Sequence, residues 1–290
     1  MNAKFQIAGV QMDVELAGTT ANLNRVTKIL RDTHENGASL TIFPECVLTG
    51  YCFKSFDEAM AAAIDVDGPE INQLVDLCRK LSTSIVVGFL QRTENVIFNS
   101  AGLIGPDGLV GIYKKTHLPT LGVDRFTTAG QDMYEVHEIN GLRIGMLICY
   151  DCSFPEPTRI LSLAGADIIV LPTNWPPESG RTSDYVPNCR ALENHVYFAA
   201  INRVGIERGV RFIGKSKICS PVGNDLACSA DDDPTILIAE VDVQLARNKH
   251  LVFIPGEYEI HRFADRRPEL YRSIIDPLQI TTTEAVAKGR

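Results

Sequence analysis

Neither a long apolar run nor an excess of basic residues occurs in this 290-residue chain, and each absence removes a class of function. The longest apolar stretches, such as "ADIIVLP" (166–172), fall far short of the roughly 20 residues that span a bilayer. The opening "MNAKFQIAGVQMDVE" has no uninterrupted apolar segment of the kind that a secretory signal carries. Lys and Arg number 28 against 36 Asp and Glu, a net charge of −8 that repels nucleic-acid phosphates and anionic membrane surfaces. Histidine is scarce, and no second C-x-x-C or H-x-x-x-H accompanies Cys149 and Cys152, so a zinc site would lack ligands. Eight cysteines scattered over so long a chain suit reduced thiols better than a secreted disulfide framework. The expectation is a soluble, cytoplasmic protein whose partner is neither nucleic acid nor membrane.

What is present is an alternation of short β-branched runs with helical patterns. Strands are expected at 5–12, 39–45, 84–90, 95–105, 108–114, 142–150, 166–174, 195–204, 212–220 and 235–243. Between them, Ile71, Leu74, Leu77, Cys78 and Leu81 recur at helical spacing, as do Leu23, Val26 and Leu30 ahead of a stop at Gly37. Nearly continuous apolar strands imply sheets covered on both faces, an α/β layered architecture. "SAGLIGPDGLVGIY" and "SKICSPVGNDLACS" each read as a hairpin, one in each half, which points to two sheets packed face to face with helices outside. No low-complexity linker divides the chain. One domain is expected over 1–265, followed by a polar arm over 266–290 that packs on a partner subunit.

Several buried strands end on reactive side chains: Glu45, Lys115, Cys149, and then Asn174 with Trp175. In α/β sheets ligands bind beyond the carboxyl ends of strands. If these ends meet, a carboxylate can take the thiol proton, an ammonium can stabilise both thiolate and oxyanion, and the acid can later protonate a leaving amine. "SFPEPTR" after Cys149 reads as a helix start, with Ser153 and Glu156 spaced as a capping box whose positive potential would lower the thiol pKa. Each residue singly also has a structural reading: core filler for Cys149, a surface ion pair for Glu45, a solvated edge for Lys114-Lys115. A C-x-x-C redox pair, a Cys–His hydrolase using His117 or His195, and a catalytically silent binding protein stay open on the residues alone.

Three segments, "IFPECVLTGY", "YKKTHLP" and "GMLICYDCSFPEPTR", together resemble the three catalytic blocks of the nitrilase superfamily, the carbon–nitrogen hydrolases. Order and spacing agree, and "DRRPELY" is similar to the family's closing arm. The resemblance implies a four-layer αββα sandwich of two mixed sheets with outer helices, paired chains, no cofactor and no metal. It also implies a triad carried on Glu45 as base, Lys115 as oxyanion stabiliser and Cys149 as nucleophile. Lys115 is chosen over Lys114 because the family lysine stands two residues before a His, here His117. Where many members have a second glutamate, this chain has only Asp124, which either substitutes for it or pairs with Arg125. Tyr150-Asp151 stands where true nitrilases have Trp-Glu, which leans towards a small linear amide or N-carbamoyl substrate over a nitrile. Tyr150, Asn174 and Trp175 are expected to line the pocket, with loops 51–60 and 120–131 setting its size.

Overall fold

The computed structural model describes residues 4–276. A first sheet begins with β1 (Lys4–Gln11), β2 (Leu40–Ile42), β3 (Ser84–Thr93), β4 (Val96–Gly105) and β5 (Gly108–Lys114). A second is built from β6 (Val136–Ile139), β7 (Leu142–Met146), β8 (Ile168–Thr173) and β9 (Tyr197–Asn202). A small hairpin, β10 (Val204–Glu207) with β11 (Val210–Ile213), precedes β12 (Lys217–Cys219) and β13 (Asp225–Cys228), which extend the second sheet. Finally β14 (Thr235–Asp242) returns to the free edge of β1. The orders are β14-β1-β2-β3-β4-β5 and β13-β12-β9-β8-β7-β6. Each sheet has three parallel strands at its centre and antiparallel neighbours outside, as both expected hairpins require.

Alternation along single strands explains the layering. On β3, Ile85, Val87 and Phe89 join the apolar stripe of helix α1 (Thr19–Glu35: Leu23, Val26, Leu30). Val86 instead joins Ile42 and Leu103 in the core shared with Ile144, Ile168 and Val170 of the second sheet. The two sheets therefore pack face to face, and the fold is the αββα sandwich. Counting helices in chain order, the short α2 is Phe56–Ala62, α3 is Pro69–Leu81, α4 is Pro155–Leu163, α5 is Gly180–Asn194 and α6 is Val243–Arg247. A second stripe packed on β3 belongs to α3, through Ile71, Leu74, Leu77 and Cys78.

Three local expectations are corrected. Segment 51–60 is not all loop: Ser55 accepts the Glu58 N–H and Glu58 reaches back to the Lys54 N–H, which starts α2. The strand expected to run to 150 stops at Met146, because the Asp151 carboxylate captures the Ile148 N–H and curls 149–153 into a 3-10 turn. Ser153 does not cap α4; Phe154 occupies that position and no side chain caps the helix. The chain divides after Asn248 into two compact units. Described by itself, the second unit carries an antiparallel hairpin of β15 (His250–Ile254) and β16 (Tyr258–His261). Residues 277–290 of the expected arm lie outside the described residues.

One glycine decides how the first sheet meets the site. A Cβ on Gly88 of β3 would stand 2.5 Å from the Cys46 nitrogen and 2.6 Å from the Pro44 carbonyl oxygen, both rigid backbone atoms. Gly88→Ala should therefore push the Glu45 turn off β3, at a cost of about 1–3 kcal/mol. A lowered thermal midpoint together with reduced turnover is expected, read by scanning calorimetry and an amide-hydrolysis assay.

Candidate active site

Strand direction brings the reactive ends together. β5 lies two antiparallel steps from β3, so it runs the same way as β2 and β3, and Lys115 emerges on the same edge as Glu45. The Lys115 ammonium, fully buried, donates to Glu45 Oε1 at 2.8 Å and to Asp124 Oδ2 at 2.5 Å. Asn99 of β4 uses both N–H groups of one amide to bridge the same carboxylates, at 2.7 Å to Glu45 Oε1 and 2.9 Å to Asp124 Oδ1. The Tyr51 hydroxyl donates to Asp124 Oδ2 at 2.8 Å. Arg125, the alternative partner of Asp124, bonds the Gly122 and Phe53 carbonyls instead. Asp124 is thus paired with Lys115 and not with Arg125.

Cys149 opens the 3-10 turn with φ of 46°, a left-handed conformation that a non-glycine residue holds only when its surroundings enforce it. Its sulfur is buried within the electrostatic reach of Glu45 and Lys115. The Thr173 hydroxyl and the Asn174 backbone N–H also favour its thiolate. Burial, and then the Glu45 charge, outweigh these and hold the thiol well above its ordinary range, contrary to the lowering expected from a helix start. Burial likewise raises the Glu45 carboxyl, with Lys115 opposing. Burial alone would depress Lys115, but Asp124 and Glu45 prevail and keep it a firm cation. Glu45 Oε2 and both amide atoms of the Asn174 side chain are buried without a hydrogen-bond partner, so these polar groups are not committed elsewhere in the described protein.

The other expected pocket residues divide. Trp175 is buried in the inter-sheet core, its backbone held by Asn202 and Ile213. Tyr150 is not brought into the polar cluster: it is 39% exposed and packs edge-on against Phe154. His195 caps the C-terminus of α5 in a left-handed conformation, at a helix–strand junction. His117 stacks on Phe154 and gives Nδ1 to Asp151 at 2.8 Å. Cys152 is a free, buried thiol, pushed up to about 12 by burial. Among the described residues no group of three or more His, Cys, Asp or Glu is arranged to hold a metal ion.

Two supporting networks escaped sequence reasoning in their details. Asp151 accepts from Ile148 N, Tyr113 OH, Thr116 Oγ1 and His117 N, besides its contact with His117 Nδ1. One buried carboxylate therefore ties the lysine loop to the cysteine turn. Farther out, the fully buried Arg203 guanidinium meets Glu207 at 2.7 Å, and Glu207 Oε2 accepts the backbone N–H of Tyr51 at 3.0 Å. That pair sets the loop from which Tyr51 reaches Asp124. The clue in each case was a polar residue within an apolar run, such as Asn99 in "NVIFNSAGLIG" or Arg203 in "AAINRVG".

With this geometry in place, the comparison with known families is direct: residues 6–250 match the carbon–nitrogen hydrolase family, and the chain belongs to it. It is a carbon–nitrogen hydrolase of the amidohydrolase kind. It is 34% identical over 271 residues to a protein named nitrilase from Pyrococcus abyssi, covering 92% of this chain and 98% of that one. It is 28% identical to an N-carbamoylputrescine amidase of Solanum lycopersicum, covering 88% and 90%. Among solved structures, an amidase from Nesterenkonia sp. shares the fold with a TM-score of 0.76 at 22% identity, covering 93% and 96%.

Asp151→Asn replaces an acceptor of several N–H and O–H groups by a side chain that itself donates. A stability loss of about 2–3 kcal/mol is expected in urea denaturation, since bonds to a charged acceptor are the stronger kind. Turnover should fall with it, and Asp151→Glu should not restore either, because the longer arm misplaces both loops.

Proposed function

We propose that the protein hydrolyses the C–N bond of a small linear amide or N-carbamoyl compound through a thioester on Cys149, releasing ammonia. The observation that carries this reading is one ammonium held by two carboxylates beside a buried thiol. Glu45 takes the Cys149 proton and the sulfur attacks the carbonyl carbon. Lys115, with a backbone N–H following Cys149, stabilises the oxyanion. Protonated Glu45 then gives its proton to the leaving nitrogen, and the C–N bond breaks. Ionised once more, Glu45 draws a proton from water, which attacks the thioester and frees the acid and the thiol. Asp124 keeps Lys115 charged throughout. Asn174 and Trp175 shape the acyl side, and no cofactor or metal takes part. In a mutant of the Nesterenkonia amidase the acetamide moiety of fluoroacetamide adds covalently at the active-site cysteine, which supports a nucleophilic Cys149 here.

Tyr150-Asp151 after the nucleophile favours amides and carbamoyl compounds over nitriles. Exposed Ile160 and Leu163 on α4, with Tyr185 and Leu192 on α5, favour a homodimer or larger even oligomer built on these outer helices. All eight cysteines are free, in keeping with a cytoplasmic setting.

Ammonia release from a panel of aliphatic amides, carbamoyl amino acids and nitriles tests the reaction. Cys149→Ala should reduce it to background and Glu45→Gln by about 10²–10⁴-fold, whereas an active Cys149→Ala protein would remove the nucleophile from the scheme. His117→Ala, which loosens a loop contact, should cost less than Glu45→Gln; the reverse order would favour a Cys–His mechanism.

The pH dependence has a defined sign. Glu45 must be ionised to accept a proton, and its carboxyl is raised by burial. kcat/KM should therefore fall on acidification through an apparent value above the ordinary carboxylate range, belonging to the interacting cluster as a whole. An acid limb at or below about 4 in a pH–rate profile would contradict this.

A further inference from the structure

A second hollow, of about 290 Å³, lies beside loops 52–54 and 120–125 and does not include Glu45, Lys115, Cys149 or Asn174 in its lining. Its apolar surface comes from the partly exposed Leu121 and Val210, and its charge from Lys54, Arg125 and Arg208. Arg208 is engaged by Glu58. Arg125 spends Nε and Nη2 on the Gly122 and Phe53 carbonyls, which leaves further guanidinium N–H groups while fixing its position. Among the described residues, neither Arg125 nor Lys54 forms an ion pair. Three cations against one acid, on a chain whose net charge is −8, make this hollow a local positive site that the overall charge does not produce.

We propose that this hollow binds a small organic carboxylate with an apolar body. The carboxylate meets the unspent N–H groups of Arg125 and the Lys54 ammonium, and the hydrocarbon lies on Leu121 and Val210. Arg125 is the natural anchor because its guanidinium is already held by two backbone carbonyls, so little side-chain freedom is lost on binding. The location gives the occupant a consequence. Tyr51 directly precedes Cys52 and Phe53, and Asp124 precedes Arg125, so a ligand held between these loops braces the Tyr51–Asp124 contact that supports Lys115. It does so without touching the thiol. The site stands apart from the reaction proposed above and does not depend on its substrate.

The test is isothermal titration of the Cys149→Ala protein with sodium pentanoate at low ionic strength, with pentan-1-ol as the uncharged comparison. Saturable binding of pentanoate is expected, weakened at least tenfold by Lys54→Glu and by Arg125→Gln, and weakened by added salt. Pentan-1-ol should bind at least tenfold more weakly. Lys54 is exposed and forms no ion pair in the described structure, so Lys54→Glu removes no structural ion pair and remains informative if Arg125→Gln unfolds. Absence of saturable binding, equal binding of the alcohol, or pentanoate binding unchanged in Lys54→Glu would overturn the proposal. The last result would assign the acid to another hollow. Because no turnover is measured, failure of the amide-hydrolysis reading leaves these outcomes unaffected.

Discussion

An ammonium ion with no access to water is the constraint around which this molecule is arranged. Removing a charge of that size from solvent costs several kcal/mol even after relaxation, and only close, well-satisfied counter-charges offset it. Lys115 has two, Glu45 and Asp124, and Asn99 and Tyr51 in turn satisfy those carboxylates. The partners come from loops and strands separated by tens of residues. Each must be held to within a few tenths of an ångström, and the surrounding structure supplies that precision: the bare backbone of Gly88 beneath Glu45, the Glu207 carboxylate behind Tyr51, and the Asp151 carboxylate between the lysine and cysteine loops.

This arrangement also bears on the chemistry proposed for it. Burial raises both the Glu45 carboxyl and the Cys149 thiol. A thiol need not be acidified if the base that receives its proton is strengthened in parallel, and a more basic thiolate is intrinsically the better nucleophile. In such a pair the proton moves only when a substrate carbonyl is present to develop negative charge beside Lys115.

Much of the frame was legible in the sequence because it rests on local signals. Apolar runs of strand length, the hairpin turns at 106–107 and 221–224, and the helical stripes of α1 and α3 all express short-range periodicity. Glu45, Lys115 and Cys149 were legible because each ends such a run within a recognisable block. Asn99 was not, since its role depends on partners 54 and 25 residues away that only the sheet order brings near. Tyr51 with Asp124, and Arg203 with Glu207 behind them, are likewise products of tertiary geometry. The failed cap at Ser153 has a similar cause: Asp151, held by four contacts from residues 113–117 and by the Ile148 N–H, bends the chain before the local capping pattern can operate.

The Asp151 clamp joins a loop leaving the first sheet to a turn leaving the second. Neither half of the sandwich can therefore possess a working hollow by itself. The first sheet is itself complete only when β14, made after every strand of the second, has paired with β1.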